Sequence, residues 1–97
     1  MRKTTGTLFA VWLKKNRKAK GLTLETLARA AGTHKGYISG IENSKVAPPS
    51  AGVTRKICRA FGLGEDAVLN ALLRGWIDKS PDAIRDTLMS VFGKELS

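Results

Sequence analysis

An all-α fold is what this 97-residue sequence predicts, and three observations carry that expectation. Apolar residues recur at the i, i+3, i+4, i+7 spacing of one helical face in each segment between breakers. The breakers themselves, Gly21, Gly32, Gly62 and the tandem Pro48-Pro49, fall between those segments, where helices stop. No segment shows the strict alternation or the hairpin-turn chemistry of a strand.

Helix 1 is expected over residues 7–20. Leu8, Phe9, Trp12, Leu13 and Asn16 share one face, Lys14, Lys15, Arg17, Lys18 and Lys20 occupy the others, and Gly21 supplies a left-handed stop. Thr23 is placed to cap helix 2, about Leu24–Ala31, which buries Leu24, Leu27, Ala28 and Ala31. Helix 3, about Lys35–Asn43, turns Ile38, Ile41 and Glu42 inward. Thr33 is expected to cap it in place of His34, because histidine is a poor N-cap. Residues 43–49 form a loop, since tandem prolines exclude helix there. Ser50 can cap helix 4, which runs through Phe61 with Val53, Ile57, Ala60 and Phe61 inward and Gly62 as its stop. Helix 5, about Glu65–Arg74, opens with two acids that favour its dipole and offers Val68, Leu69, Leu72 and Leu73 to the core. Ser80-Pro81-Asp82 starts a sixth helix whose apolar face is Ile84, Leu88, Val91 and Phe92.

Helices 2 and 3 are each marginal alone. Joined by a turn that begins at Gly32, they read as a helix-turn-helix whose second helix leaves Lys35, Gly36, Ser39, Gly40 and Asn43 free to enter a DNA groove. The charge distribution agrees. Residues 1–63 carry 13 Lys and Arg against 2 Asp and Glu, a net +11, whereas residues 64–97 carry 4 against 6, a net −2, so the excess positive charge resides in the half that holds the motif. This divides the chain into a basic DNA-binding part, 1–63, and a C-terminal part, 64–97, whose helices complete the core and are placed to dimerise. Other chemistry finds little foothold. The sole histidine and the sole cysteine make no metal cluster, and no phosphate loop or carboxylate pair suggests catalysis, so neither a metal, a cofactor nor an enzymatic role is expected. Cys58 excludes an internal disulfide and suits a reducing cytoplasm. Its expected role is that of a small core residue. The longest apolar run, Leu8–Leu13, is too short to span a membrane.

These residues together resemble the Cro/CI-like (Xre-type) helix-turn-helix family. The resemblance covers about Leu13–Leu63 and is carried by Arg17, Gly21-Leu22-Thr23, Leu27-Ala28, Gly32, Ile38-Ser39, Ile41-Glu42-Asn43 and Ile57-Cys58-Arg59-Ala60-Phe61. It implies a five-helix lambda-repressor-like domain, here with an extra C-terminal helix. It also implies an ion pair between Arg17 and Glu42 that ties helix 1 to the end of helix 3. The sequence departs from the family at Leu24, where glutamine is usual, at His34, where a Ser/Thr cap is usual, and at Ser44, where glycine is usual.

The expected function is that of a sequence-specific regulator of transcription, a small phage- or plasmid-type repressor that binds a palindromic DNA operator as a homodimer. A non-catalytic interaction module, or an antitoxin or controller protein on the same fold, is the alternative. Base reading is assigned to His34, Lys35, Gly36, Ser39 and Gly40, with lysine and serine able to donate to base edges. Thr23, Tyr37, Asn43, Ser44 and Lys45 are assigned to phosphates, which position without specifying. For Tyr37, packing against helix 2 competes with that role. Dimerisation is assigned to Leu72, Trp76, Ile84, Leu88 and Phe92, against the alternative that helix 6 folds back onto Trp12 and Phe9.

Overall fold

The structure, a computed structural model, describes residues 7–96. Within them the chain is all-helical: α1 Leu8–Ala19, α2 Leu24–Ala30, α3 Lys35–Glu42, α4 Ala51–Ala60, α5 Glu65–Lys79 and α6 Asp82–Phe92, closed by a 3-10 turn, Gly93–Leu96. Side-chain oxygens cap three of the starts. Thr7 accepts from the Ala10 N–H, Thr23 from Thr26 and Ser50 from Val53, each satisfying one of the free donors of a first turn. No described helix is long and apolar enough to cross a membrane.

The first four helices end in one and the same way. After α1, α2 and α4, a glycine at positive φ (Gly21 68°, Gly32 73°, Gly62 73°) lets the chain reverse. Paired backbone bonds then close the turn, as in Leu22 N–H to Arg17 C=O and Gly21 N–H to Lys18 C=O. After α3 the same pair of bonds forms, Lys45 N–H to Gly40 C=O and Ser44 N–H to Ile41 C=O, but the left-handed residue is Ser44, at φ 58°. A side chain there costs roughly 1–2 kcal/mol. A partial return is visible, since the Ser44 hydroxyl accepts from the Thr7 N–H at 3.4 Å and so joins the end of α3 to the start of α1.

One core gathers Phe9, Trp12 and Leu13 of α1, Leu27 and Ala28 of α2, Ile38 and Ile41 of α3, Ile57, Cys58 and Phe61 at α4, and Val68 and Ala71 of α5. Phe9 and Phe61 flank Trp12, with ring centroids 5.3 and 5.7 Å away, an edge-tilted cluster favoured by ring quadrupoles. Leu24, the unusual first residue of α2, packs on the rim of this core. Cys58 is fully buried. Burial, and secondarily the charge of Glu65, push its thiol above the ordinary range, which keeps it protonated and inert.

Two features of the C-terminal part differ from the sequence expectation. Helix 5 does not stop at Arg74 but continues to Lys79. Gly75, which reads as a breaker, is instead a point of close approach: a Cβ there would lie 3.1 Å from the Pro48 Cβ. The extension carries Asp78 to the start of α1, where its two carboxylate oxygens accept the N–H groups of Leu8 (2.9 Å) and Phe9 (2.8 Å). A full negative charge on the positive end of α1 is favourable on both hydrogen-bond and dipole grounds. Arg85 of α6 complements this at the same, C-terminal end of α5, donating to the C=O groups of Asp78 and Ser80.

Helix 6 folds back within the monomer, although not onto Trp12 and Phe9. Leu88 is 9% exposed and forms a second, smaller core with Ile77 and Leu96, onto which Leu8, Leu73 and Phe92 pack. Arg74 secures the closing turn by donating to the Leu96 C=O.

Candidate nucleic-acid interface

The site is built on an ion pair. Arg17 Nε meets Glu42 Oε2 at 2.6 Å and Nη2 meets Oε1 at 3.1 Å, while Nη1 donates to the Leu22 C=O at 2.9 Å. The two side chains are 12% and 4% exposed. The hydrogen bonds to Glu42 raise the guanidinium further above its already high range, outweighing burial. This planar fork fixes α1, the α1–α2 turn and the last turn of α3 relative to one another. It also consumes the carboxylate of α3, so that helix presents no free negative charge.

His34, not Thr33, caps α3. Its Nδ1 accepts from the Tyr37 N–H at 3.3 Å, which fixes the imidazole beside the start of the helix. The cap works because the imidazole nitrogen replaces the missing hydroxyl; a Cβ on Gly36 would only touch that nitrogen at an ordinary contact distance of 3.5 Å. Lys35 and Gly36 are exposed on this first turn. Tyr37 is half-buried against the core, its ring 6.3 Å from that of His34.

Further along, the glycines differ in kind. Gly40 does not face open space, because a Cβ there would touch both methyls of Val46 at 3.4 Å. It is the seat on which the loop after α3 folds, and its assignment to base reading is corrected accordingly. Ser39 is half-buried and coupled to Asn43, whose amide donates to the Ser39 C=O (2.9 Å) and Oγ (3.3 Å). Asn43 thus finishes the helix while remaining exposed. Thr23 bonds to Thr26 through its hydroxyl. Lys35 and Lys45 are exposed, and neither has an ion-pair partner among the described residues. The free cations therefore lie at both ends of α3, and Glu25 lines a shallow groove with Arg29, His34 and Lys35 on the α2 side.

Of the expected dimer residues, Trp76 and Ile84 are exposed, at 54% and 50%. Leu88 and Phe92 are taken up by the second core, and Leu72 packs partly against the first. Leu88 is therefore not a free contact residue, while Leu72 and Phe92 are half-buried. Leu69, Met89 and Val91 are exposed in their place. The sequence offered no sign of Asp78 as a cap of α1, since the two are remote in sequence; Arg85, by contrast, lies within seven residues of the α5 carbonyls it meets.

Comparison with known proteins places this geometry among familiar ones. Residues 8–72 match the helix-turn-helix domain family. Over 51 residues the chain is 45% identical to the uncharacterized HTH-type transcriptional regulator YqaF of Bacillus subtilis (strain 168), covering 53% of this chain and 66% of that protein, just under two thirds of its length. The crystal structure of the clp gene regulator ClgR from Corynebacterium glutamicum shares the fold, with a TM-score of 0.61 over 98% of this chain and 97% of that one, at 23% identity.

Proposed function

The chain belongs to the helix-turn-helix domain family, and from that premise we propose that it is a sequence-specific, double-stranded-DNA-binding regulator of transcription. The observation that carries this reading is the α3 face itself. Lys35 and Ser39 lie one turn apart on it, and Lys45 just beyond it has no ion-pair partner; the buried Arg17–Glu42 pair holds the helix in place. Lysine can donate to guanine O6 or N7 and serine to several base edges. Lys45, Asn43 and Ser44 at the far end then take backbone phosphates. With Gly36 carrying no side chain and Gly40 committed to Val46, few groups read bases directly, and sequence-dependent DNA shape supplies the remainder.

Selection from randomised duplexes, repeated with two variants, tests this. Lys45→Ala should weaken binding on every sequence and reduce the salt slope by roughly 0.9. Lys35→Ala should change which sequences are selected. Uniform loss in both variants would make Lys35 another phosphate contact and leave specificity to shape alone.

The operator is proposed to be palindromic and the protein a repressor acting as a dimer, since one motif reads about half a turn and two-fold pairs read sites roughly 34 Å apart. The exposed apolar residues of α5 and α6, Leu69, Trp76, Ile84 and Val91, support a meeting of subunits away from the basic half. Sedimentation should show a wild-type dimer and a folded Trp76→Asp monomer with reduced affinity for the selected duplex. A wild type that stays monomeric both free and on DNA would contradict the dimer.

A further inference from the structure

Beside the α3 face lies a groove of about 270 Å³, bounded by Thr7 at the start of α1, Ser44 and Lys45 after α3, and Asp78 and Lys79 at the end of α5. The fold makes it from segments that are remote in sequence. α5 reaches this place only because Gly75 lets it pass Pro48 and run on to Lys79.

Its charge is decided by what its one carboxylate does. Asp78 accepts the N–H groups of Leu8 and Phe9 with both oxygens, so its charge is spent on the positive end of α1. Lys45 and Lys79 are both exposed and form no ion pair with it or with any other described residue. The Ser44 hydroxyl uses one acceptor site on the Thr7 N–H and keeps its O–H to donate. Two ammonium groups and a hydroxyl donor thus line one open groove directly beyond the end of α3. That is the donor set for a phosphodiester, held as a point charge by lysine.

We propose that this groove is a backbone-phosphate site through which the end of α5, by way of Lys79, joins the DNA footprint. The proposal rests on the DNA-binding reading above and extends it: the acidic half contributes a contact, and the bound strand runs one phosphate further than α3 and its loop alone would hold. The Asp78 cap then has a second consequence. By spending its charge on α1, it stops the groove from repelling the phosphate.

The test is the salt dependence of binding by the full chain to a labelled mixed-sequence duplex of about 20 bp, followed by anisotropy. Lys79→Ala and Lys79→Gln should each reduce the slope of log affinity against log salt by about 0.9, the loss of one neutralised phosphate. Lys94→Ala, which removes an equal charge from the closing turn, should leave it unchanged. Both Lys79 variants should melt as the wild type does, because Lys79 is exposed and unpaired. An unchanged slope for Lys79→Ala beside normal wild-type binding would overturn this site alone. An equal fall for Lys94→Ala would reduce it to a general charge effect and overturn it too. A wild type that binds no duplex would overturn the parent reading together with the site.

Discussion

Replacing Glu42 with alanine is expected to cost about 3–5 kcal/mol of stability, because it strands a nearly buried guanidinium without its partner. For a domain of this size that is a fall in Tm of roughly 20 °C. The chain contains its own control. Arg55 and Glu65 also pair through two contacts, at 2.9 and 3.4 Å, but with side chains 44% and 72% exposed. Their geometry resembles that of Arg17 and Glu42; their solvation does not. Glu65→Ala should therefore cost at most about 1 kcal/mol. Thermal or urea unfolding of the two variants side by side would decide the matter, and equal losses would mean that burial is not what makes the Arg17–Glu42 pair matter.

Asp78→Ala is expected to cost about 2–3 kcal/mol, since two charge-assisted bonds to the first N–H groups of α1 are lost at once. Asp78→Asn should recover part of this, one oxygen remaining to accept while the favourable charge at the helix end is gone. Amide hydrogen exchange at Leu8 and Phe9 gives the local readout. Both should exchange faster in Asp78→Ala, whereas amides of α3 should change only as far as global stability does. Unchanged exchange and unchanged Tm would show that the contact does not stabilise the helix start.

The helices were legible because each carries its own punctuation. Gly21, Gly32 and Gly62 mark left-handed stops that only glycine occupies without strain, and Thr23 and Ser50 mark starts by hydroxyl capping. The Arg17–Glu42 pair was legible through the family resemblance, and its distances bear that expectation out. What sequence could not supply was set by contacts across long separations. Gly75 reads as a terminator by local rules, yet Pro48, far away in the chain, turns it into a packing position. Asp78 lies 70 residues from the Leu8 N–H it caps, and no local pattern encodes that pairing. Gly40 looked like an open reading position because helical periodicity places it on the outer face, but Val46 returns to cover it. Leu88 and Phe92 share an apolar face with Ile84 and Val91, and periodicity alone does not tell which of the four meet Ile77 in the same monomer and which remain exposed. The cap at His34 failed expectation for a chemical reason. Oxygen acceptors are favoured at helix starts, but an imidazole nitrogen can accept the same first-turn N–H, as His34 Nδ1 does from Tyr37.

The central claim is that the exposed face of α3 reads DNA sequence, with the lysines around it holding the backbone. Its most direct measurement is the ratio of affinities for the duplex recovered by selection and for a mixed-sequence duplex of equal length, taken at several salt concentrations. Binding to both should weaken as salt rises, and the selected duplex should remain tighter by at least about a thousandfold at physiological salt. Equal affinity for the two duplexes, or no salt-dependent binding to either, would contradict the account.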